Sequence, residues 1–159
     1  MKRIVATCIA LVASVLFAAA QAAKEPYAAG LGEFMTATQL RHAKLWFAGK
    51  ENNWDLAAYE IDEIAEGLED AEKQFPTHDG IPVADMIKAN IDPAVAELRK
   101  AVGAKSSTKF AVAFDKLTSA CNTCHTGANK QFIRIQRPTS SPLSNQKFAP
   151  NSLPKGEAY

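Results

Sequence analysis

The sequence has little cysteine and no excess of charge of either sign. Of its 159 residues, three are cysteine, and 18 lysine and arginine residues stand against 17 aspartate and glutamate residues. A chain so close to neutral lacks the basic surface that nucleic acid or an anionic membrane would bind, so neither is expected as a partner. With 47% hydrophobic and 22% charged residues, its composition is that of a folded globular protein rather than a disordered chain.

Further absences narrow the fold and the activity. The sequence shows no strand-like alternation of apolar and polar residues and no repeat at the period of solenoid proteins. It has no phosphate-binding loop, Ser-His-Asp arrangement or paired carboxylates, so we do not expect an enzyme that turns over a substrate. A single C-x-x-C pair stands without the second pair or the spaced histidines of a structural zinc site.

The first 22 residues have the features of a secretory signal peptide. Lys2 and Arg3 form a positive start, residues 4–20 are apolar, and the Ala-Gln-Ala sequence at 20–22 fits a cleavage site. The alternative is an N-terminal membrane anchor, but the apolar run is shorter than the ~20 residues that span a bilayer. We therefore expect cleavage, export to the periplasm, and no membrane insertion of the mature chain.

After Cys8 is removed with the signal peptide, the remaining cysteines lie in Cys121-Asn122-Thr123-Cys124-His125. C-x-x-C-H is the attachment sequence of a c-type haem, in which two thiols add to the porphyrin and the histidine binds iron. On a helix, spacings of three and four residues place all three side chains on one face. We predict one covalent haem c held by Cys121 and Cys124, with His125 as the proximal iron ligand. A redox-active dithiol is the alternative, although thioredoxin-like pairs follow a strand and open a helix.

Four segments carry apolar residues at helical spacing, which predicts an all-α fold. They cover residues 31–49, 53–75, 83–102 and 108–132. Pro93 lies inside the third segment, and the pattern leaves open whether it kinks one helix or divides two. Both cysteines fall on the apolar face of the fourth segment, where a haem inside a bundle must lie. The second segment has an acidic face opposite its apolar one, formed by Asp55, Glu60, Asp62, Glu63, Glu66, Glu69, Asp70 and Glu72.

The last part of the chain lacks a helical period. Prolines at positions 138, 142, 150 and 154, with serine and asparagine between them, predict an extended tail over residues 133–159. We expect Ile135, Leu143 and Phe148 to hold this tail against the bundle. The chain thus divides into a signal peptide (1–22), a helical haem domain (23–132) and the tail.

Four helical segments with C-x-x-C-H on the last one resemble the class II c-type cytochromes, the cytochrome c′ group. The resemblance implies an antiparallel four-helix bundle, exported, with the haem near the C-terminus and a capacity to form homodimers. It covers residues 31–132 as architecture and is carried in sequence mainly by Cys121, Cys124 and His125. The chain departs from the family after the histidine, where an aromatic residue and an arginine usually follow, and in its proline-rich tail.

The sixth iron position decides between two functions. In the family that the chain resembles, a methionine from the first helix fills this position in low-spin members, and gas-binding members leave it open. Met35, on the inward face of the first segment, is our candidate ligand unless it only packs, and His42 on the same face is the alternative. Ligation by Met35 favours a periplasmic electron carrier that exchanges electrons with a redox partner protein. An open position favours binding of NO or CO by a sensor or scavenger, and a thiol oxidoreductase is a third option.

Two sets of cations bear on the haem and its partner. Arg41 and Lys44, in the first segment, are candidate partners of the haem propionates, since carboxylates take cationic neighbours, although both could equally be solvated. The later part of the chain is rich in basic residues, which would either steer an acidic redox partner or balance the acidic second segment. These residues are Arg99, Lys100, Lys105, Lys109, Lys116, Lys130, Arg134 and Arg137.

Overall fold

The structure, a computed structural model, describes residues 27–151, so the predicted signal peptide lies outside the described residues. Four helices form the fold: α1 (Leu31–Lys50), α2 (Trp54–Gln74), α3 (Val83–Gly103) and α4 (Ser107–Gly127). The predicted all-α class is confirmed, because residues 27–151 contain no strand beyond an isolated bridge between His78 and Ile81. Each helix packs against the next one in the chain, and α1 also contacts α4, as in a four-helix bundle. None of these helices is both long and apolar enough to cross a membrane.

The helix ends are set by side-chain caps and by left-handed residues. The Asn53 side chain accepts the Leu56 N–H at the start of α2, and the Ser106 side chain accepts the Lys109 N–H at the start of α4. Asn52, Lys105 and Asn129, which follow α1, α3 and α4, have φ values of 57°, 50° and 57°. A residue in this left-handed region turns the chain away from the helix axis, so each of these three helices stops where it does.

The end of α4 differs from the prediction. The apolar pattern placed it at residue 132, whereas the helix ends at Gly127 and Phe132 is 77% exposed. Asn129 is the cause, because its left-handed conformation is accompanied by a bond from its N–H to the Thr126 carbonyl (3.1 Å) and reverses the chain. The next amide, Lys130 N–H, bonds to the His125 carbonyl at 2.7 Å. The chain therefore folds back directly after the C-x-x-C-H sequence.

Pro93 does not divide the third segment. α3 runs without interruption from Val83 to Gly103, and Asp92 and Pro93 are both on its exposed side. A proline in a helix removes one N–H donor, which costs least where the carbonyl left without a partner can bond to water. Of the two alternatives that the sequence left open, a single helix is correct.

The apolar faces of all four helices meet in one core. The apolar face that helical spacing predicts for the second segment is buried in α2, at Ala57, Ile61, Ile64, Leu68 and Ala71. Aromatic rings fill the region between the end of α1 and the start of α4, with Phe110 and Phe114 fully buried and centroids 5.9 Å apart. Gly49 permits this packing, because a Cβ there would lie 2.1 Å from two carbons of the Phe110 ring.

Glu60 is an exception to the predicted solvent-facing acidic side of α2. It is 0% exposed, and its carboxylate lies between two cations of α1. Lys44 Nζ is 2.5 Å from Oε1, and Arg41 Nη1 is 3.3 Å from Oε2. A buried carboxylate needs such partners, since an isolated charge in the interior is costly. The helical pattern correctly placed Glu60 on α2 but wrongly assigned it to solvent.

Residues 128–151 contain no helix or strand and pack against the bundle at several points. Phe148 is buried, with its ring 5.5 Å from that of Phe47, and the Asn53 side chain donates to its carbonyl at 3.0 Å. Ile135 and Leu143 are half-buried. Of the three apolar residues from which the sequence predicted attachment of the tail, Phe148 is buried against Phe47, whereas Ile135 and Leu143 are only partly buried.

Arg137 holds the middle of the same segment. Its guanidinium donates to both carboxylate oxygens of Asp115, at 2.6 and 2.7 Å, and lies 4.5 Å from the centre of the Trp46 ring. This paired geometry with cation–π stacking is stronger than an ordinary surface ion pair. The segment is thereby fixed against α4 and α1 together.

Candidate functional site

The C-x-x-C-H sequence lies in the last two turns of α4. Cys121 and Cys124 are free thiols, half-buried, and both pack against the apolar core. The Cys124 S–H donates to the Met86 carbonyl of α3 at 3.5 Å. Because residues 121–125 are helical, the two sulfurs and the His125 ring project from one face of α4.

The His125 ring is oriented by a backbone carbonyl. Its Nδ1 lies 2.9 Å from the Ile133 oxygen, in the segment that folds back after α4. A carbonyl can only accept, so Nδ1 carries the proton and the neutral ring keeps a lone pair on Nε2. A ring held in this way presents Nε2 as a metal ligand.

Asn122, between the two cysteines, binds the same returning segment. Its Nδ2 donates to the Ile135 carbonyl at 2.9 Å, and its Oδ1 accepts the Ile135 N–H at 2.8 Å. Together with the bond from His125, three hydrogen bonds join residues 133–135 to this turn of α4. Sequence reasoning missed Asn122, since the motif defines its position only as x.

Neither thiol is activated for nucleophilic chemistry. Burial raises the pKa of Cys121 to about 12, and Cys124 adds a smaller repulsion. Burial also raises the pKa of Cys124, against a hydrogen bond from Asn90 that lowers it. Both sulfurs lie near the C-terminus of a helix, where the helix dipole disfavours a thiolate. Reactive dithiols are placed at the opposite helix end.

His42 is buried within the bundle, next to α4. Its Nε2 is 2.9 Å from Thr118 Oγ1, and its ring centroid is 4.3 Å from that of Phe114. The Thr118 hydroxyl gives its proton to the Phe114 carbonyl, so its oxygen accepts from Nε2–H. Burial lowers the pKa of His42 from 6.5 to about 4, which keeps the ring neutral. For His42 to bind iron through Nε2, this hydrogen bond would first have to break.

Two methionines were considered in relation to the site, and they occupy different positions. Met35, the candidate sixth ligand, is half-buried on α1 and packs against the core. Met86 of α3 lies beside the motif: its Cε would be 2.9 Å from a Cβ on Gly127. The short turn between α3 and α4 could have indicated that Met86 lies near the motif, because it folds the start of α3 back alongside the end of α4.

Arg41 and Lys44, the candidate propionate partners, both contact α2. Besides its contact with Glu60, Arg41 has Nη2 2.6 Å from Glu63 Oε2, and Lys44 is paired with Glu60. A haem propionate would have to compete with these carboxylates. Their role at the haem stays a prediction.

Several of the basic residues in the later half of the chain have acidic partners within the protein. Arg99 is 2.8 Å from Asp62, and Lys116 is 2.5 Å from Glu97. Arg137 is paired with Asp115 in the same way. For these three basic residues, the positive charge is balanced by an acidic residue of a neighbouring element.

Within residues 27–151, no group of three or more histidine, cysteine, aspartate or glutamate side chains is arranged to hold a bare metal ion. The candidate site is thus two thiols and one imidazole on a single helix face. Comparison with known proteins gave no match: no protein-family model, curated protein or solved structure matches this chain. The function must be argued from the site itself.

Proposed function

We propose that the protein is an exported c-type cytochrome that carries one covalent haem c and transfers electrons in the periplasm. The observation that carries the proposal is the bond from His125 Nδ1 to the Ile133 carbonyl, on the helix face of the two cysteines. A metal-bound histidine almost always donates its second ring N–H to a carbonyl, carboxylate or water. That bond fixes the ring orientation and makes the other nitrogen a stronger donor to iron.

The residues present fit a haem attached through thioethers. Cys121 and Cys124 supply the two sulfurs, and both adjoin the apolar core, which would keep water from one side of a porphyrin. The group supplies one-electron chemistry, as iron alternates between its ferric and ferrous states. The chain's own part is to hold the macrocycle, orient the His125 ring and exclude water. The electrons would be exchanged with a redox partner protein, and homodimer formation through α1 belongs to the same proposal.

The proposal includes an antiparallel bundle of the class II cytochrome kind. Three contacts between α1 and α4 support this direction: Gly49 with Phe110, Trp46 with Phe114, and His42 with Thr118. Each step back along α1 accompanies a step forward along α4, as antiparallel helices require.

The same register, continued by two turns along each helix, would bring Met35 level with His125. Met35 precedes His42 by seven residues on α1, and His125 follows Thr118 by seven residues on α4. Seven residues complete about two helical turns, so both side chains remain on the facing sides of the two helices. Met35 is therefore our proposed sixth ligand, and a thioether on iron favours electron transfer by raising the reduction potential. His42 lies two turns away, at the level of Thr118.

The first experiment asks whether the haem is covalent. After expression with a haem-attachment system, the protein is run on a reducing, denaturing gel and stained for haem peroxidase activity. We expect a stained band from the wild-type chain and none from a Cys121→Ser, Cys124→Ser double variant. A colourless wild-type protein with two titratable thiols would reject the proposal in favour of a dithiol protein.

The second experiment separates an electron carrier from a gas-binding protein. Carbon monoxide is added to the reduced wild-type protein, and its spectrum is followed. A six-coordinate iron with a methionine ligand should bind the gas slowly or weakly. Rapid and tight binding would instead identify an open sixth position, and the protein would be a sensor or scavenger of NO or CO.

A further inference from the structure

Within the proposed cytochrome function, on which this inference rests, we propose that Asn122 is a positioning residue for His125. Its side-chain amide binds the Ile135 backbone through two hydrogen bonds. These bonds hold the nearby Ile133 carbonyl in the position where it accepts the hydrogen bond from His125 Nδ1. One of the two variable positions of the C-x-x-C-H sequence then contributes to the ligand field of the iron.

The geometry of the returning segment explains why a second anchor is needed. The Ile133 carbonyl lies in irregular chain after α4, where the backbone is not held by a helix or a strand. From the N-terminal side, the Ile133 N–H bonds to Lys130 O at 2.8 Å, and the Lys130 N–H bonds to His125 O at 2.7 Å. From the C-terminal side, Asn122 binds both polar groups of Ile135, two residues further on. The carbonyl is thus restrained on both sides by bonds that lead back to the same turn of α4.

The other polar side chains around the motif do not do this. Thr123 Oγ1 donates to the Ser119 carbonyl at 3.0 Å, and Thr126 Oγ1 donates to the Asn122 carbonyl at 2.9 Å. Both bonds run back to the preceding turn of α4, and neither involves the returning segment. Thr123→Ala is therefore a matched control: it also removes a polar side chain at a variable motif position but leaves the returning segment untouched.

The consequence for the iron follows from ligand basicity. An imidazole that donates its Nδ1–H to a carbonyl is a stronger base at Nε2, and a stronger base stabilises ferric iron over ferrous iron. When the carbonyl is no longer held, the hydrogen bond weakens and the ferric form loses stabilisation. Loss of the Asn122 amide should therefore raise the reduction potential.

The experiment compares Asn122→Ala and Thr123→Ala with the wild-type haem protein. Alanine is the best helix former, so neither substitution threatens α4, and circular dichroism serves as the check. Two quantities are measured: the reduction potential by redox titration, and the hydrogen exchange of the Ile135 amide by NMR. In Asn122→Ala we expect a higher potential and an exchange rate about tenfold faster, since one net hydrogen bond protects this amide. Thr123→Ala should match the wild type in both.

The outcomes separate this inference from the proposed function. If haem is attached but Asn122→Ala leaves both the potential and the exchange rate unchanged, the positioning role is wrong and the cytochrome proposal stands. If exchange accelerates but the potential does not move, Asn122 only holds the tail, which also overturns the inference. If the wild-type protein carries no haem, the cytochrome proposal fails and the inference fails with it.

Discussion

Replacing Gly49 with alanine tests the contact between α1 and α4 on which the level of Met35 depends. A Cβ at this position would lie 2.1 Å from Cε1 and Cζ of Phe110 and 2.6 Å from Cδ1. Carbon atoms in contact are normally about 3.5–4.0 Å apart, so the Phe110 ring must move by more than an ångström. That ring is 2% exposed, and it packs against Trp46, Trp54 and Phe114. It has little room to move.

The expected effect is the difference between two terms. Overpacking of a filled core costs about 1–3 kcal/mol, and the size of this overlap points to the upper end. Alanine in place of glycine in a helix recovers up to about 1 kcal/mol. Gly49→Ala should therefore lower the free energy of unfolding by about 2 kcal/mol.

Gly67 provides the control, since it lies within α2 and a Cβ there would have no neighbour within 4 Å. Gly67→Ala should raise the free energy of unfolding by about 1 kcal/mol, so the two variants should differ by about 3 kcal/mol. Urea unfolding followed by circular dichroism resolves such a difference. A Gly49→Ala protein as stable as Gly67→Ala would refute the close approach of α1 to Phe110, and with it the proposed level of Met35.

Three further substitutions address the buried histidine, the proposed sixth ligand and the tail. His42 has a pKa of about 4 in the folded chain against 6.5 in the unfolded one, so protons favour unfolding between these values. The contribution of neutral His42 to the free energy of unfolding should be complete above pH 6.5 and decline by up to about 3 kcal/mol towards pH 4. His42→Gln should remove this part of the pH dependence of urea unfolding. Wild type and variant with equal pH slopes would contradict this assignment. Met35→Ala should abolish the low-spin spectrum and permit rapid carbon monoxide binding; an unchanged spectrum would show that Met35 is not a ligand. Phe148→Ala should weaken attachment of the tail by about 3 kcal/mol and accelerate limited chymotrypsin cleavage after Leu143, whereas an unchanged cleavage rate at that bond would mean that Phe148 does not hold the tail.

The helices were predictable because their burial repeats with the helical period. The apolar face of α2 illustrates this, as five of its residues at helical spacing, from Ala57 to Ala71, are buried. The end of α4 was not predictable from the same rule, because Phe132 continues the apolar pattern after Asn129 has already turned the chain. A local left-handed residue outweighs periodicity, and asparagine is one of the few residues that adopt this conformation readily.

The candidate site divides in the same way. Cys121, Cys124 and His125 could be named as candidates from their spacing alone, since haem attachment requires these residue types. The partners of His125 and Asn122 could not, because both are backbone groups of a segment without periodicity, at Ile133 and Ile135. Every residue has a backbone carbonyl, so the residue type does not indicate which carbonyl accepts a hydrogen bond. Such hydrogen bonds to the backbone depend on the three-dimensional path of the chain and not on residue type.

The buried Glu60 has a consequence for how α2 finds its place beside α1. The apolar residues of α2 recur every three or four positions, so a slide by one turn, about 5.4 Å, would still oppose apolar side chains to apolar side chains. The carboxylate tolerates no such slide, because its two partners, Lys44 and Arg41, occupy one place on α1. Stripping a buried charge of its partner costs about 3–5 kcal/mol, which is a large part of the stability of a small protein. The ion cluster thus sets the register of α2 against α1. It adds little to the attraction between the helices, but it destabilises an alignment shifted by one turn.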